Sequence, residues 1–140
     1  MLRRMLVAFD GSPKSYEAFE YTVAIAGACK LRSEIFVISV AQPPEPIDFV
    51  EMDDIVEAAS KHYEALQKEL EDKAHEKGIH IRSKIAVGHP ADQIVKFAKE
   101  KHCDMIILGQ RGKSTIEGWL LGSVSKRVAS HAHCAVTIIK

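Results

Sequence analysis

Residues 104–140 read DMIILGQRGKSTIEGWLLGSVSKRVASHAHCAVTIIK, and this stretch decides the fold class. A short apolar, β-branched run over 104–109 is followed by a glycine-bearing connection. A helix then opens near Gly122-Ser123 and closes near His131, and a second apolar run occupies 134–139. Two buried strands joined through one helix are parallel neighbours, because the crossover returns the chain to the same end of the sheet. The same alternation continues upstream. Strands are predicted at 4–10, 34–41 and 81–87. A helix is predicted from about 13 to 30, with Ser12 as N-cap, Pro13 at its first position and Phe19, Thr22, Val23 and Ala26 on one face. A longer helix carries Met52, Ile55, Val56, Ala59, Tyr63, Leu66 and Leu70 at helical spacing and closes near Lys77-Gly78. A third follows Gly88-His89-Pro90 and turns Ile94, Val95 and Ala98 inward. The pattern predicts one doubly wound α/β domain over 1–140, a parallel sheet with helices on both faces.

Composition narrows the function classes. Lys plus Arg and Asp plus Glu both number 19, so no global field draws the chain onto nucleic acid or an anionic membrane. No stretch reaches the roughly 20 apolar residues of a membrane span. The opening MLRRMLV has an Arg pair like a leader's head, but Asp10 ends its short apolar run, so it reads as a first strand in a cytoplasmic protein. Cys29, Cys103 and Cys134 are an odd, scattered set and read as buried free thiols rather than a disulfide framework or zinc site. The proline-rich segment 42–46 reads as an exposed connection. The last strand, Ala135–Ile139, is apolar along its length and expected at a sheet edge, which predicts a homodimer through it.

Open α/β sheets bind ligands beyond the carboxyl ends of their strands. The fourth strand ends in Leu108-Gly109-Gln110-Arg111-Gly112-Lys113-Ser114, and Gly122-Ser123-Val124-Ser125 opens the next helix. Glycines let a backbone approach an anion, and a helix start offers free N–H donors and a favourable dipole, so the segment describes a phosphate cradle. Lys126 and Arg127 stand in that helix's first turn, where the dipole disfavours cations, and a bound polyphosphate would offset the cost. The Gly112-Lys113-Ser114 run is not a P-loop, since that motif needs glycine where Ile107 stands. Taken one at a time, these glycines read better as turns and a helix cap; their combination at this spacing, directly after a strand, points to the cradle.

The spacing Gly109-x-x-Gly112, nine residues, Gly122-Ser123 resembles the G-x-x-G-x9-G-[ST] motif of the ATP-binding branch of the universal stress protein family. Val7-Ala8-Phe9-Asp10-Gly11-Ser12, Phe36-Val37-Ile38-Ser39-Val40, Gly88-x-Pro90 and Cys134-Ala135-Val136 also look like that family, so the likeness spans the chain. The resemblance implies a Rossmann-like five-stranded parallel sheet in order 3-2-1-4-5, a homodimer, and ATP across the ends of strands one and four. By motif position Ala8, Asp10, Val40, Leu108, Gly109, Gln110, Arg111, Gly112, Gly122, Ser123, Val124 and Ser125 would surround the nucleotide. Asp10 would face the ribose or a Mg2+ ion brought in on the phosphates, and the Val40 backbone would meet the adenine edge. Gln110 departs from the small hydroxyl residue frequent at that place, which leaves one ribose or phosphate contact open.

Each candidate has a plainer reading. Asp10 fits an Asx turn ahead of the first helix as well as a ligand contact. Arg111 and Lys113 are loop cations that solvent alone would satisfy. His131-x-His133-Cys134 has metal-ligand residue types but no second cluster. His89 suits a helix start, and Trp119 suits a packing anchor. The expected function is a nucleotide-responsive regulatory or stress-response protein rather than an efficient enzyme, with slow hydrolysis through Asp10 and a metal as the upper bound. The alternatives are a nucleotide-free interaction module and an adenylate-forming enzyme. The latter lacks the S-G-G-x-D-S loop it would need after strand one, and a receiver domain lacks the phosphorylatable Asp after Val87-Gly88.

Overall fold

In the computed structural model, which describes residues 2–29, 32–43, 49–110 and 122–140, the chain alternates strand and helix throughout. The elements are β1 (Arg4–Ala8), α1 (Pro13–Ala28), β2 (Glu34–Ala41), α2 (Phe49–Glu76), β3 (Ile81–Val87), α3 (Pro90–Glu100), β4 (Met105–Gly109), α4 (Ser123–His131) and β5 (Ala135–Ile139). Five parallel strands form one sheet in the order β3-β2-β1-β4-β5. The expected topology is therefore observed, with β5 at one edge and β3 at the other.

The inner strands β1, β2 and β4 are apolar through their centres because both sheet faces are covered there, while the edge strand β3 carries the exposed Arg82, Ser83 and Lys84. Successive residues feed opposite faces. Met5, Val7, Ile35, Val37 and Ile107 join one cluster with Phe19 and Val23 of α1 and Leu70 and Ala74 of α2. Leu6, Phe36, Ile38, Ile106 and Leu108 join the other with Ile94 and Phe97 of α3 and Val128 of α4. A large side chain fully buried in either cluster contributes about 1.5–3 kcal/mol.

Three expectations need correcting. The α2 stripe has the spacing of a core-facing helix, yet Ile55 is exposed, Met52, Val56, Ala59, Tyr63 and Leu66 are half-buried, and of the seven only Leu70 is fully covered. The cause is length. A helix of 28 residues spans about 42 Å, whereas strands of 7–8 residues span about 25 Å. The amino-terminal half of α2 therefore runs out beyond the carboxyl edge of the sheet. The cysteines are free but not uniformly buried, since Cys29 and Cys134 are only half-covered while Cys103 is buried. Strand β1 stops at Ala8 rather than Asp10, because the chain turns sharply at Gly11, whose φ is +84°. Of the proline-rich connection only Gln42 and Pro43 lie among the described residues.

Candidate functional site

The chain order places α1 and α2 on one face and α3 and α4 on the other, with the change of direction between β1 and β4. Beyond the carboxyl ends of those two strands a crevice is expected from topology alone. Its walls are built by the turn after β1, the end of β4 and the start of α4.

On the β1 side, Asp10 forms an Asx turn: its Oδ1 accepts a hydrogen bond from the Ser12 amide at 2.9 Å. Gly11 takes the left-handed conformation that the turn requires. Ser12 then caps α1, its Oγ accepting from the Ser15 amide at 3.3 Å while the Ser15 hydroxyl donates to the Ser12 carbonyl at 2.8 Å. The plainer reading of Asp10 is thus realised, just past the carboxyl end of β1.

On the β4 side, Gly109 lies against the backbone of Lys14 in the first turn of α1. A Cβ at Gly109 would fall on the Lys14 carbonyl carbon and oxygen. Glycine here is a packing requirement between β4 and α1, a role distinct from both anion approach and a turn. The Gln110 amide donates to the Ile139 carbonyl at 2.8 Å and extends the β4 ladder with β5. Leu108 is buried in the core, so only its backbone can face a ligand. Ala8 is half-buried at the end of β1. Arg111, Gly112 and the neighbouring loop residues Lys113 and Trp119 lie outside the described residues.

The start of α4 differs from that of α1. Gly122 is its N-cap, with φ −58° and ψ 157°, and provides no side-chain cap, and the first turn contains no acidic residue. The leading amides of the helix, at Ser123, Val124 and Ser125, have no partner within the helix itself. They gather positive dipole where the crevice opens. Ser123 is exposed, Val124 packs against the core and Ser125 is buried.

The argument from Lys126 and Arg127 is weakened by the structure. Arg127 reaches back to Asp92 of α3, Nη2 to Oδ1 at 3.0 Å. A carboxylate of the protein already answers this cation, so it carries no information about an anion. That pair joins residues 35 positions apart on two helices, a distance at which no local sequence pattern marks it. His89, at the start of α3, makes no side-chain cap and lies 4.0 Å from the same Asp92. Among the described residues no three potential ligands group to hold a metal ion, and His131 lies against the Arg127 carbonyl at 2.9 Å.

Val40 meets the crevice through its backbone. The Phe9 amide bonds the Ile38 carbonyl and the Gly88 amide bonds the Ala41 carbonyl, so Ile38 faces β1 and Ala41 faces β3. By strand alternation Val40 faces the β1 side, past the Ala8↔Ile38 pair at which the β1 register ends. Its N–H and C=O form a donor–acceptor pair suited to the edge of a planar heterocycle.

The family model for the universal stress protein family matches residues 1–140. Universal stress protein MJ0531 of Methanocaldococcus jannaschii is 31% identical over 143 aligned residues, covering 100% of this chain and 83% of that protein. A solved universal stress protein in complex with cAMP superimposes with a TM-score of 0.74 at 29% identity, covering 99% of this chain and 97% of that one. A family protein from Arabidopsis thaliana with AMP bound gives 0.72 at 28% identity, covering 98% and 90%. Among the described residues, no helix of the chain is long and apolar enough to cross a membrane.

Proposed function

The chain belongs to the universal stress protein family, and from that membership and its crevice we propose that it binds an adenine nucleotide, ATP foremost, as a nucleotide-responsive regulator. The observation that carries this reading is the α4 amino terminus. It opens on a glycine with neither side-chain cap nor acidic first turn, at the crevice where β1 and β4 end. Phosphates would take the amides of Ser123, Val124 and Ser125, and adenine would take the Val40 backbone. Asp10 would face the ribose or the Mg2+ that accompanies the phosphates, with one carboxylate oxygen already held by Ser12. Two similar proteins, solved with cAMP and with AMP, support the ligand class.

The proposal is for binding rather than rapid turnover, because the sequence lacks the P-loop glycine, with Ile107 in its place. The edge strand β5, half-buried along most of its length, is where a second copy would add to form a homodimer. Denaturing freshly purified protein and chromatographing the supernatant tests the reading. Released adenine nucleotide is the expected result. No released nucleotide, together with no saturable uptake of a labelled ATP analogue at millimolar concentration, would instead support a nucleotide-free interaction module.

A further inference from the structure

At the opposite, amino end of the sheet lies a second feature to which the nucleotide reading gives no role. A cavity of about 590 Å³ is lined in part by Leu2, His102, Cys103, Asp104, His133 and Cys134. Cys103 follows the turn that ends α3, its amide donating to the Ala98 carbonyl at 2.9 Å, with His102 in the left-handed conformation at φ 53°. Cys134 immediately precedes β5. The register Met105↔Ala135 sets Cys134 opposite Asp104, one residue along from Cys103. Both residues lie just ahead of neighbouring strands whose chains run about 5 Å apart. Bridged cysteines have Cα separations of about 4.4–6.8 Å. Both side chains also belong to the same apolar cluster, so they approach from the same face of the sheet.

We propose that Cys103 and Cys134 form a dithiol site, open through this cavity, that closes to an intramolecular disulfide by exchange with a small-molecule disulfide. Cys134, the more exposed thiol, loses its proton to solvent and its sulfur attacks the reagent RSSR. An S–S bond forms to one R group and the other leaves as RS⁻. Cys103 then loses its proton and attacks the Cys134 sulfur, expelling the second RS⁻. The two cysteines are oxidised, one RSSR is reduced, and the released protons balance the two RS⁻ as RSH.

The surroundings set the rate. Burial pushes the Cys103 thiol up to about 11, reinforced by Cys134, Asp104 and Glu34 and opposed by Arg4. Burial also raises Cys134, reinforced by Asp104. At neutral pH the pair therefore rests as a protonated dithiol and exchanges slowly, faster as the pH rises.

The test uses the native full chain incubated with oxidised glutathione at pH 8 to 9, trapped by alkylation and mapped by mass spectrometry. The expected product is a peptide cross-link between Cys103 and Cys134, two hydrogens lighter than the dithiol and reversed by dithiothreitol. The Cys103→Ser variant should accumulate a stable glutathione adduct on Cys134, because no second thiol resolves it. The proposal is overturned by persistent adducts on Cys134 in the unsubstituted chain, by no reaction at either thiol, or by a bridge through Cys29 instead.

Discussion

Replacing Gly109 by alanine adds one methyl group at the contact between β4 and α1. That methyl would fall on the Lys14 carbonyl group and lie 2.8 Å from the Lys14 Cβ, whereas ordinary contact begins at 3.4 Å. The obstruction is backbone, so no rotamer change removes it. Either the first turn of α1 retreats or β4 shifts against β5, to which Gly109 is paired through Ile139. Overpacking of this kind costs about 1–3 kcal/mol, and a clash with main chain belongs at the upper end. For a chain of this size that lowers Tm by about 10 °C. Gly27→Ala supplies the opposite sign, since that glycine lies in α1 with open space around its missing Cβ. Alanine there should stabilise by about 0.5 kcal/mol. Urea and thermal melts of both variants, followed by far-UV circular dichroism, measure the difference. A Gly109→Ala protein as stable as the parent would refute the packing argument for this glycine.

Two other stability effects follow from hydrogen bonds at the two ends of the sheet. The Asp104 carboxylate accepts from the Arg3 and Arg4 amides, both at 2.8 Å. The Arg4 amide foremost, with the Arg3 amide and nearby positive charges behind it, holds this carboxyl below its ordinary value of 3.8 against an opposing burial effect. Its stabilisation is therefore present above about pH 4 and lost as the pH falls through the lower folded value. Asp104→Asn should remove roughly 1 kcal/mol at pH 7 after solvent screening and flatten the acid limb of the stability curve, measured by urea melts from pH 7 down to pH 3. Ser12→Ala removes the α1 cap and should cost about 1 kcal/mol; Ser12→Asp should retain most of it, and equal loss in both variants would contradict the capping role.

The alternation of strand and helix was legible because the three inner strands, β1, β2 and β4, are buried on both faces and read as nearly continuous apolar runs. The segment at 34–41 matches β2 for that reason, whereas β3 at 81–87 lies at the sheet edge and keeps Arg82, Ser83 and Lys84 exposed. The α2 stripe misled because helical periodicity reports which face is apolar but not where the underlying sheet ends. Ile55 has the spacing of a core residue yet is 39% exposed. At the site, the glycine spacing and the helix start were readable, since both are local backbone features. The Lys14 backbone against Gly109, the Asp92 partner of Arg127 and the proximity of Cys103 to Cys134 were not. Each joins residues from separate elements, and only the packed sheet brings them together. Gly122 is instructive in another way: its φ of −58° is open to any residue, so backbone strain is not what calls for glycine there.

That last property makes Gly122 the sharpest probe of the phosphate cradle. Isothermal titration of magnesium ATP into the parent chain and into Gly122→Val, with circular dichroism to establish that both are folded, compares the cradle with and without a side chain in it. Saturable binding by the parent and a loss of at least about tenfold in the variant, equivalent to about 1.4 kcal/mol, is the predicted result. No saturable binding by the parent, or unchanged affinity in a folded Gly122→Val protein, would contradict the assignment of the α4 amino terminus as a nucleotide site.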